Sequence, residues 1–450
     1  MNIVIAGGGN VGRTIAKKLI SEDHDVTIIE DDGQQIRSLN HELDALVIEG
    51  SAVDINILKK ANIEKASLFI AVTNDDSSNL IASNMARRLS NKNLAIIGKV
   101  EKYKKYFNGK DTVPEDFSIN MVIDPVYLSI KKILTLIEQP KAIENIDFPE
   151  EELKLIGIKI NGDFEFSSLS LKEIALNNPL LLNIKIVAIN RSDKVIIPGG
   201  NDRILTGDKI YVLGKPKDIQ KFLKINFKVK SRFNNIIIIG SSKEGHEIAR
   251  KLENTGRKIT IIEEDLKKCE KLSHELERTL ILNGSATDTN ILDEIEIKNS
   301  CIVCTSSDDE YNIISAVTAK KYGAAKTICI IRNTNLVSII NSISGIDTVF
   351  SPHTLSIGKI LQYCRKGNVV SVTSFSEMNA EIITLLISKA NSITGKLLQE
   401  IKLPSGMIIG VIIRDGTMII PRGKDTIELN DKVIIFILPE SFEKVKKIFF

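Results

Sequence analysis

The sequence predicts an α/β protein: two Rossmann-like, doubly wound parallel-sheet domains, each followed by a small α+β module. Three observations lead there. The first is a repeat. Asn2–Gly12 and Thr27–Glu30 recur as Asn235–Gly245 and Thr260–Glu263, and Gly7, Gly12, Ile15, Ala16, Leu19 and Glu30 return as Gly240, Gly245, Ile248, Ala249, Leu252 and Glu263. The shift of 233 positions from Gly7 to Gly240 is the size of a duplicated domain, not of a solenoid unit. The second is alternation: in each copy, short runs apolar on both faces alternate with helical patterns, as in a parallel sheet covered by helices. The third is an echo between the stretches that follow, Ile197-Pro-Gly-Gly-Asn-Asp with Asp208-Lys-Ile210 against Ile420-Pro-Arg-Gly-Lys-Asp with Asp431-Lys-Val433. The 450 residues divide as 1–139, 140–230, 231–366 and 367–450, in the order A-B-A-B.

Element by element, strands are expected at Asn2–Ala6, Asp25–Glu30, Ala45–Glu49, Leu68–Val72, Leu94–Lys99 and Asn120–Ile123. Helices fill the gaps at Val11–Ser21, Gly33–Asn40, Asp54–Ala61, Ser77–Leu89 and Tyr103–Asn108. Pro125 ends this unit, an apolar helix follows over Leu128–Glu138, and Pro140 and Pro149 punctuate a short linker. The first small module then reads as strands at Leu155–Ile160, Ile184–Ile189, Val195–Ile197 and Lys209–Leu213, with helices at Leu171–Leu176 and Pro216–Leu223. At about 80 residues it is too small to house a large pocket of its own. The second copy repeats the order at Ile236–Ile239, Lys258–Glu263, Leu280–Leu282, Cys301–Cys304, Thr327–Ile331 and Thr348–Phe350. Pro352 falls where Pro125 fell, and a second module covers about Ser371–Phe450.

Composition narrows the function classes. Sixty basic and 57 acidic residues leave a net charge of +3, which gives no reason to expect nucleic acid as a partner. No apolar run approaches the roughly 18 to 20 residues a membrane span requires. The start, Met1-Asn-Ile-Val, reads as a strand rather than a signal peptide. The cysteines (269, 301, 304, 329 and 364) are odd in number and lack framework spacing, which fits a reducing cytosol. Cys301-Ile-Val-Cys304 lies within an apolar strand, so its thiols read as small buried hydrophobes.

The chemistry sits in the first glycine loop. Gly7-x-Gly9-x-x-Gly12 lies between a strand and a helix, and Glu30 closes the next strand, which is the context a dinucleotide fingerprint requires. Gly7 permits the tight turn, Gly9 leaves room for pyrophosphate, and Gly12 lets helix and strand pack closely. The N–H groups from Asn10 and Val11 onward face the phosphate with the helix dipole behind them. Glu30 accepts hydrogen bonds from the ribose hydroxyls and repels a 2′-phosphate, favouring NAD over NADP. Copy two departs: Gly240 and Gly245 remain, but Ser242 replaces the middle glycine and crowds the phosphate. Lys243 offers a compensating charge, and Glu263 survives.

Three further matches fall at sheet ends. Gly50-Ser51-Ala52-x-Asp54 returns as Gly284-Ser285-Ala286-x-Asp288. Thr73-Asn74-Asp75-Asp76-x-x-Asn79 returns as Ser306-Ser307-Asp308-Asp309-x-x-Asn312, with Thr73 and Asn74 expected to line the crevice and Asp75 or Asp76 to cap a helix. Lys99 closes strand five and is echoed by Arg332, placing one cation beside each phosphate site.

A catalytic group is missing. A dehydrogenase needs a proton acceptor facing the nicotinamide. The five histidines, His24, His41, His246, His274 and His353, lie outside the small modules where a substrate domain would have to be, and they read as solvated. No zinc spacing and no Walker Gly-Lys-Ser occurs. An NAD-dependent oxidoreductase would explain the fingerprint but neither the duplicated modules nor this gap, and a redox-sensing transcription regulator would need a helix-turn-helix or basic face that is not visible.

In these residues the chain resembles the TrkA-type proteins, cytosolic subunits of bacterial Trk potassium uptake built from RCK (regulator of K⁺ conductance) domains. The resemblance runs over essentially the whole chain. It implies a regulatory assembly rather than an enzyme: large domains that bind NAD(H) or ATP/ADP, a homo-oligomeric ring (dimer or tetramer), and a place in the cytoplasm, peripheral on the inner face of the plasma membrane. The implied partner is an integral-membrane potassium-translocating subunit of the TrkH/TrkG type; an RCK-type regulator of another cation channel or exchanger is the neighbouring reading. Carried over, Gly7, Gly9 and Gly12 match the phosphate loop and Glu30 the acidic ribose ligand. Gly50 and Ala52 match the loop after strand three, where Ser51 departs from the usual Asp. Lys99 stands for the usual Arg after strand five, and Arg332 keeps that residue in copy two.

Overall fold

The computed structural model describes residues 1–450 apart from 91–92, 102–117, 149–151, 163, 165, 167–168, 178–182, 193, 227–231, 341–344, 365–368, 376–379, 439–440 and 450. The helix expected at Tyr103–Asn108 lies outside the described residues.

The first sheet is built from β1 (Asn2–Ala6), β2 (Asp25–Glu30), β3 (Leu46–Glu49), β4 (Leu68–Ala71), β5 (Ala95–Lys99) and β6 (Met121–Ile123). All its pairings are parallel, in the order β3-β2-β1-β4-β5-β6. The order reverses direction between β1 and β4, so a crevice opens at their carboxyl ends, where open α/β sheets bind ligands. The first glycine loop sits there. β1 earns its central place by composition: Ile3, Val4, Ile5 and Ala6 are all buried, with helices covering both faces.

In the small module, β7 (Ala142–Phe148), β8 (Leu153–Lys159), β9 (Ile184–Arg191), β10 (Lys194–Ile196) and β11 (Lys209–Gly214) form an antiparallel sheet ordered β10-β9-β11-β8-β7. This corrects the expectation of a linker between Pro140 and Pro149, because β7 occupies most of that stretch. Its Glu144, Asn145 and Asp147 hide the apolar signal. Glu144 is nonetheless buried, its carboxylate accepting from Lys132 Nζ at 2.9 and 3.0 Å.

The second copy repeats both sheets. β12 (Asn235–Ile239), β13 (Lys258–Glu263), β14 (Thr279–Asn283), β15 (Cys301–Cys304), β16 (Lys326–Ile330) and β17 (Thr348–Phe350) run parallel in the order β14-β13-β12-β15-β16-β17. β18 (Val369–Phe375), β19 (Ala380–Leu386), β20 (Met407–Arg414), β21 (Thr417–Ile419) and β22 (Lys432–Ile437) form the second antiparallel sheet. The echoed Asp-Lys motif is a structural lock in both modules. Buried Asp208 holds Arg191 in a two-pronged pair at 2.8 and 2.8 Å, and buried Asp431 holds Arg414 at 2.9 and 2.9 Å.

By compactness the chain forms two units: Met1–Ser129 with Pro352–Cys364, and Ile130–Ser351 with Arg365–Phe450. In the first unit, Ile357, Ile360 and Leu361 of the helix Pro352–Cys364 join Ile3, Ile5, Ile15 and Leu19 in one core. In the second, the buried Lys326 donates to the carbonyls of Leu136, Gln139 and Ala142. It thereby satisfies the C-terminal end of the helix Pro125–Glu138 and the start of β7. The two small sheets of that unit share a core that includes Leu155, Val187 and Tyr211 with Ile382, Val411 and Phe436.

Candidate nucleotide site

Each glycine of the first loop answers to a different constraint. Gly7 has φ +100, and a Cβ on it would come within 2.9 Å of Thr73 N, so both its conformation and its contacts require glycine. Gly12 is helical, but a Cβ would collide with the Gly7 carbonyl oxygen. Gly9 is under neither constraint. Its φ of −63 and ψ of −171 suit any residue, and a Cβ would meet only Gln35 Oε1, at 3.9 Å. The fold leaves that space open. The helix Asn10–Ser21 starts beside it with no side-chain cap, so the first-turn N–H groups of Asn10, Val11 and Gly12 face the notch.

Glu30 is buried and braced. Oε2 accepts from Gly8 N at 2.5 Å, and Oε1 accepts from Asp31 N at 2.9 Å and Asp32 N at 3.0 Å. Oε2 retains a lone pair for a ribose hydroxyl. On the other side of the crevice, Asn79 is fully buried and knits two strand ends together. Its Oδ1 accepts from Thr73 N at 2.9 Å and from Thr73 Oγ1 at 2.8 Å, and its Nδ2 donates to Thr73 O at 3.1 Å and Lys99 O at 2.9 Å. The Thr73 hydroxyl is therefore committed to the protein, while Asn74 is exposed. Asp75, rather than Asp76, caps the next helix, accepting from Ser78 N at 2.7 Å; Asp76 accepts from Glu101 N at 3.0 Å. Ser51 is exposed and Ala52 buried in the loop after β3. Asp124, at the end of β6, accepts from Tyr127 N at 3.0 Å, and burial, with Glu101 and Asp76 adding to it, pushes its carboxyl up to about 6.

Copy two has the same skeleton with different occupants. Glu263 Oε2 accepts from Ser241 N at 2.8 Å and Oε1 from Asp265 N at 3.0 Å; burial opposes its charge, but these hydrogen bonds and Lys268 leave the carboxyl below its ordinary range. Asn312 repeats the clamp, accepting from Ser306 N at 2.9 Å and donating to Ser306 O at 2.9 Å and Ile330 O at 3.1 Å. Ser242, however, caps the helix Lys243–Leu252, its Oγ accepting from Gly245 N at 3.3 Å. Glu244 adds a buried acid to the first turn, where copy one has Val11. Tyr311 Oη accepts from Ala286 N at 2.7 Å and lies 3.5 Å from Ser285 Oγ, and burial raises the phenol above its ordinary range.

The clamp asparagines correct the expected pairing of Lys99 with Arg332. Asn79 reaches the carbonyl of Lys99 and Asn312 that of Ile330, while Asp76 holds Glu101 N and Asp309 holds Arg332 N. Lys99 thus corresponds to Ile330, and Glu101 to Arg332. The second copy is two residues shorter before strand five, which a constant shift conceals. Nor is either cation uncommitted: buried Lys99 Nζ lies 3.6 Å from Glu101 Oε1, and Arg332 Nη1 donates to Ser306 O at 2.6 Å.

The other sequence expectations resolve simply. All the cysteines are buried and free, and burial pushes the Cys301 thiol up to about 12. His41 and His274 are exposed. His246 departs from the solvated placement expected of it: it is half-buried, with Nε2 3.2 Å from Glu275 Oε2. Sequence reasoning did not single out Gln35 at the Gly9 notch, nor Tyr311. The signal for Tyr311 was present, since it replaces Ser78 between the matching Asp308 and Asn312. A cavity of about 810 Å³ lies at the opposite, amino end of the first sheet, lined by Asn2, His24 and Asp44 among others, and contains no residue of the glycine loop. Among the described residues no helix is long and apolar enough to cross a membrane, and no group of His, Cys, Asp or Glu is arranged to hold a metal ion.

Comparison with known proteins fits this geometry. The TrkA-N domain family matches residues 3–125 and 236–352, and the TrkA-C domain family matches residues 165–226 and 384–449. The chain is 30% identical over 445 residues to the Trk system potassium uptake protein TrkA of Halomonas elongata, across 97% of this chain and 96% of that one. It is 30% identical over 458 residues to the protein of the same name from Haemophilus influenzae, across 100% and 98%. Among solved structures, the GsuK channel bound to NAD aligns with a TM-score of 0.62 at 17% identity, over 100% of this chain and 78% of that one. The GsuK RCK domain aligns at 0.61 and 17%, over 99% and 94%. The two GsuK likenesses establish a shared fold. The two TrkA relatives are named for potassium uptake and not for a reaction.

Proposed function

The chain belongs to the family of the Trk system potassium uptake protein TrkA, and from that premise we propose that it reads the nucleotide state of the cell for a potassium pore. In this reading it binds NAD(H), or ATP and ADP, in the notch of copy one. It assembles with further copies of itself into a ring on the cytoplasmic face of the membrane and biases an integral-membrane potassium-translocating subunit. The nucleotide is a signal and is not consumed.

The observation that carries the reading is Gly9. Neither its backbone conformation nor its neighbours require glycine, yet a side chain there would fill the space in front of an uncapped helix start. An unfilled cradle of backbone N–H groups beside a braced carboxylate fits pyrophosphate and ribose. NAD bound to the GsuK channel, whose fold this chain shares, supports the dinucleotide. Either class of ligand would place phosphates on the Asn10–Gly12 amides and ribose on Glu30. A ligand shifts a conformational equilibrium only through unequal affinity for its states, and Glu30, the glycine loop and the Thr73–Asn74 turn lie at the ends of three separate strands, β2, β1 and β4, whose spacing such a ligand would sense.

The test is calorimetry on the full chain with NADH, ATP and ADP. Gly9→Ala is expected to keep the parent's melting temperature and to weaken binding roughly tenfold or more, a loss of about 1.4 kcal/mol. Unchanged affinity in a folded Gly9→Ala chain refutes the site.

A further inference from the structure

We infer that residues 242 and 311 decide which copy of the repeat takes the nucleotide, so that each chain binds one dinucleotide, in copy one. This rests on the nucleotide reading above and adds to it the residues that restrict occupancy.

Two contacts that a dinucleotide would make in copy one are made in copy two by the protein itself. At the phosphate end, Ser242 takes the place of Gly9. Its Oγ accepts the Gly245 N–H, one of the amides that a phosphate would need, and its Cβ stands in the space that Gly9 leaves open. Glu244 in the same turn is a buried acid, which complements the helix dipole in a phosphate's stead and repels a second anion. At the other end, the Ala286 N–H in the loop after β14 is taken by the Tyr311 hydroxyl at 2.7 Å. The matching residue in copy one is Ser78, whose hydroxyl turns away to Asp75 at 2.7 Å. Among the described residues, the Ala52 N–H then has no side-chain partner.

A dinucleotide entering copy two would have to displace a cap and a half-buried phenol hydrogen bond at once, leaving each displaced polar group to find another partner. In copy one it displaces neither. Glu263 and Asn312 remain because they brace the sheet ends, a task independent of ligand: Glu263 is bonded to the glycine loop and Asn312 to strand five in the same way as their counterparts. This reassigns Gly240, Ser242, Lys243, Gly245, Ser285, Ala286, Ser306 and Arg332 from nucleotide contacts to a notch closed by its own side chains.

The experiment is NADH titration calorimetry on three full-length chains, with melting curves as the folding control. The parent is expected to bind one NADH per chain. Gly9→Ser with Ser78→Tyr, which copies the closed notch into copy one, should reduce that binding at least tenfold. Ser242→Gly with Tyr311→Ser, which opens copy two, should raise the stoichiometry to two. Two sites in the parent, or binding retained by the closed copy-one variant, overturns the inference while leaving nucleotide binding intact. A folded Ser242→Gly/Tyr311→Ser chain that still binds one NADH overturns the roles of residues 242 and 311. No binding by any of the chains brings down the nucleotide reading itself, and this inference with it.

Discussion

The two glycine loops have the same skeleton and opposite economies of hydrogen bonding. In both, a glycine with positive φ turns the chain (Gly7 at +100, Gly240 at +87), a glutamate from the next strand braces the turn, and a buried asparagine ties strand four to strand five. In copy one the helix start is bare; in copy two it is capped by Ser242, and the loop after strand three is held by Tyr311. The sheet geometry therefore makes a crevice but does not decide whether it is open. What differs between the two is a few side chains at the rim, Ser242 for Gly9 and Tyr311 for Ser78.

The largest effects should fall on what the copies share. Gly12→Ala and Gly245→Ala each drive a methyl group into a neighbour, the Gly7 carbonyl in one case and the Gly240 carbonyl with Thr305 in the other. Each is expected to destabilise its own sheet by on the order of 3 kcal/mol. Hydrogen exchange would show this as lost protection over Ile3–Leu19 or Ile236–Leu252 respectively. Protection unchanged in either variant would mean that the close packing of helix on strand is looser than described.

Asn79→Leu and Asn312→Leu sharpen the comparison further. Asn79→Leu strands the Thr73 N–H and the Thr73 and Lys99 carbonyls and should cost about 2 to 3 kcal/mol, whereas Asn312→Leu strands the Ser306 N–H and the Ile330 carbonyl, Ser306 O keeping Arg332, and should cost about 2 kcal/mol. Their effects on NADH affinity should differ: Asn79→Leu loosens the open crevice and weakens binding, and Asn312→Leu leaves it as it was. Equal losses of affinity would say that the two notches are functionally alike.

Asp124 separates the copies by pH, because its counterpart in sequence, before Pro352, is the buried Ser351. Burial raises the Asp124 carboxyl from 3.8 to about 6. A raised carboxyl means that the folded state holds the proton more tightly than the unfolded chain. Its contribution is thus fully present below about pH 4 and is lost as pH rises through about 6. Asp124→Asn keeps an acceptor for Tyr127 N and removes the buried charge. It should stabilise the first sheet by on the order of 2 kcal/mol at pH 7.5 and change little at pH 4. Melting at the two pH values checks this, and a stabilisation independent of pH would rule out the charge as the cause.

How much of this was legible in the sequence follows from what kind of signal each feature leaves. The parallel sheets announce themselves through runs such as Ile236–Ile239, which are buried on both faces and bounded by glycine. β7 was hidden because Glu144 reads as a linker residue until Lys132, twelve positions earlier, is seen to neutralise it. The pairing of Lys99 with Arg332 failed because a constant shift cannot register a two-residue deletion, whereas the bonds from Asn79 and Asn312 do. The Gly-x-Gly-x-x-Gly motif marks the place of the notch; that Gly9 alone among its glycines has no structural duty depends on the Thr73 backbone beside Gly7 and the Gly7 carbonyl beside Gly12, contacts that a motif does not encode. The closure of copy two was half visible, in Ser242 for Gly9, and half invisible, since nothing local says that the Tyr311 hydroxyl reaches a loop 25 residues away.

The smallest effect is the most discriminating. Ser242→Ala removes a helix cap and should destabilise the second sheet by about 1 kcal/mol, whereas Ser242→Gly should cost only a few tenths. The mirror change, Gly9→Ser, supplies a cap that the first helix lacks, in a backbone conformation that already accepts it. It should therefore stabilise copy one by a few tenths of a kcal/mol while weakening NADH binding roughly tenfold or more. Stability and affinity moving in opposite directions at one residue would show that the helix start is kept bare for a ligand, at the expense of the fold. If Gly9→Ser lowered both together, the glycine would be structural after all, and the contrast between the two notches would lose its functional meaning.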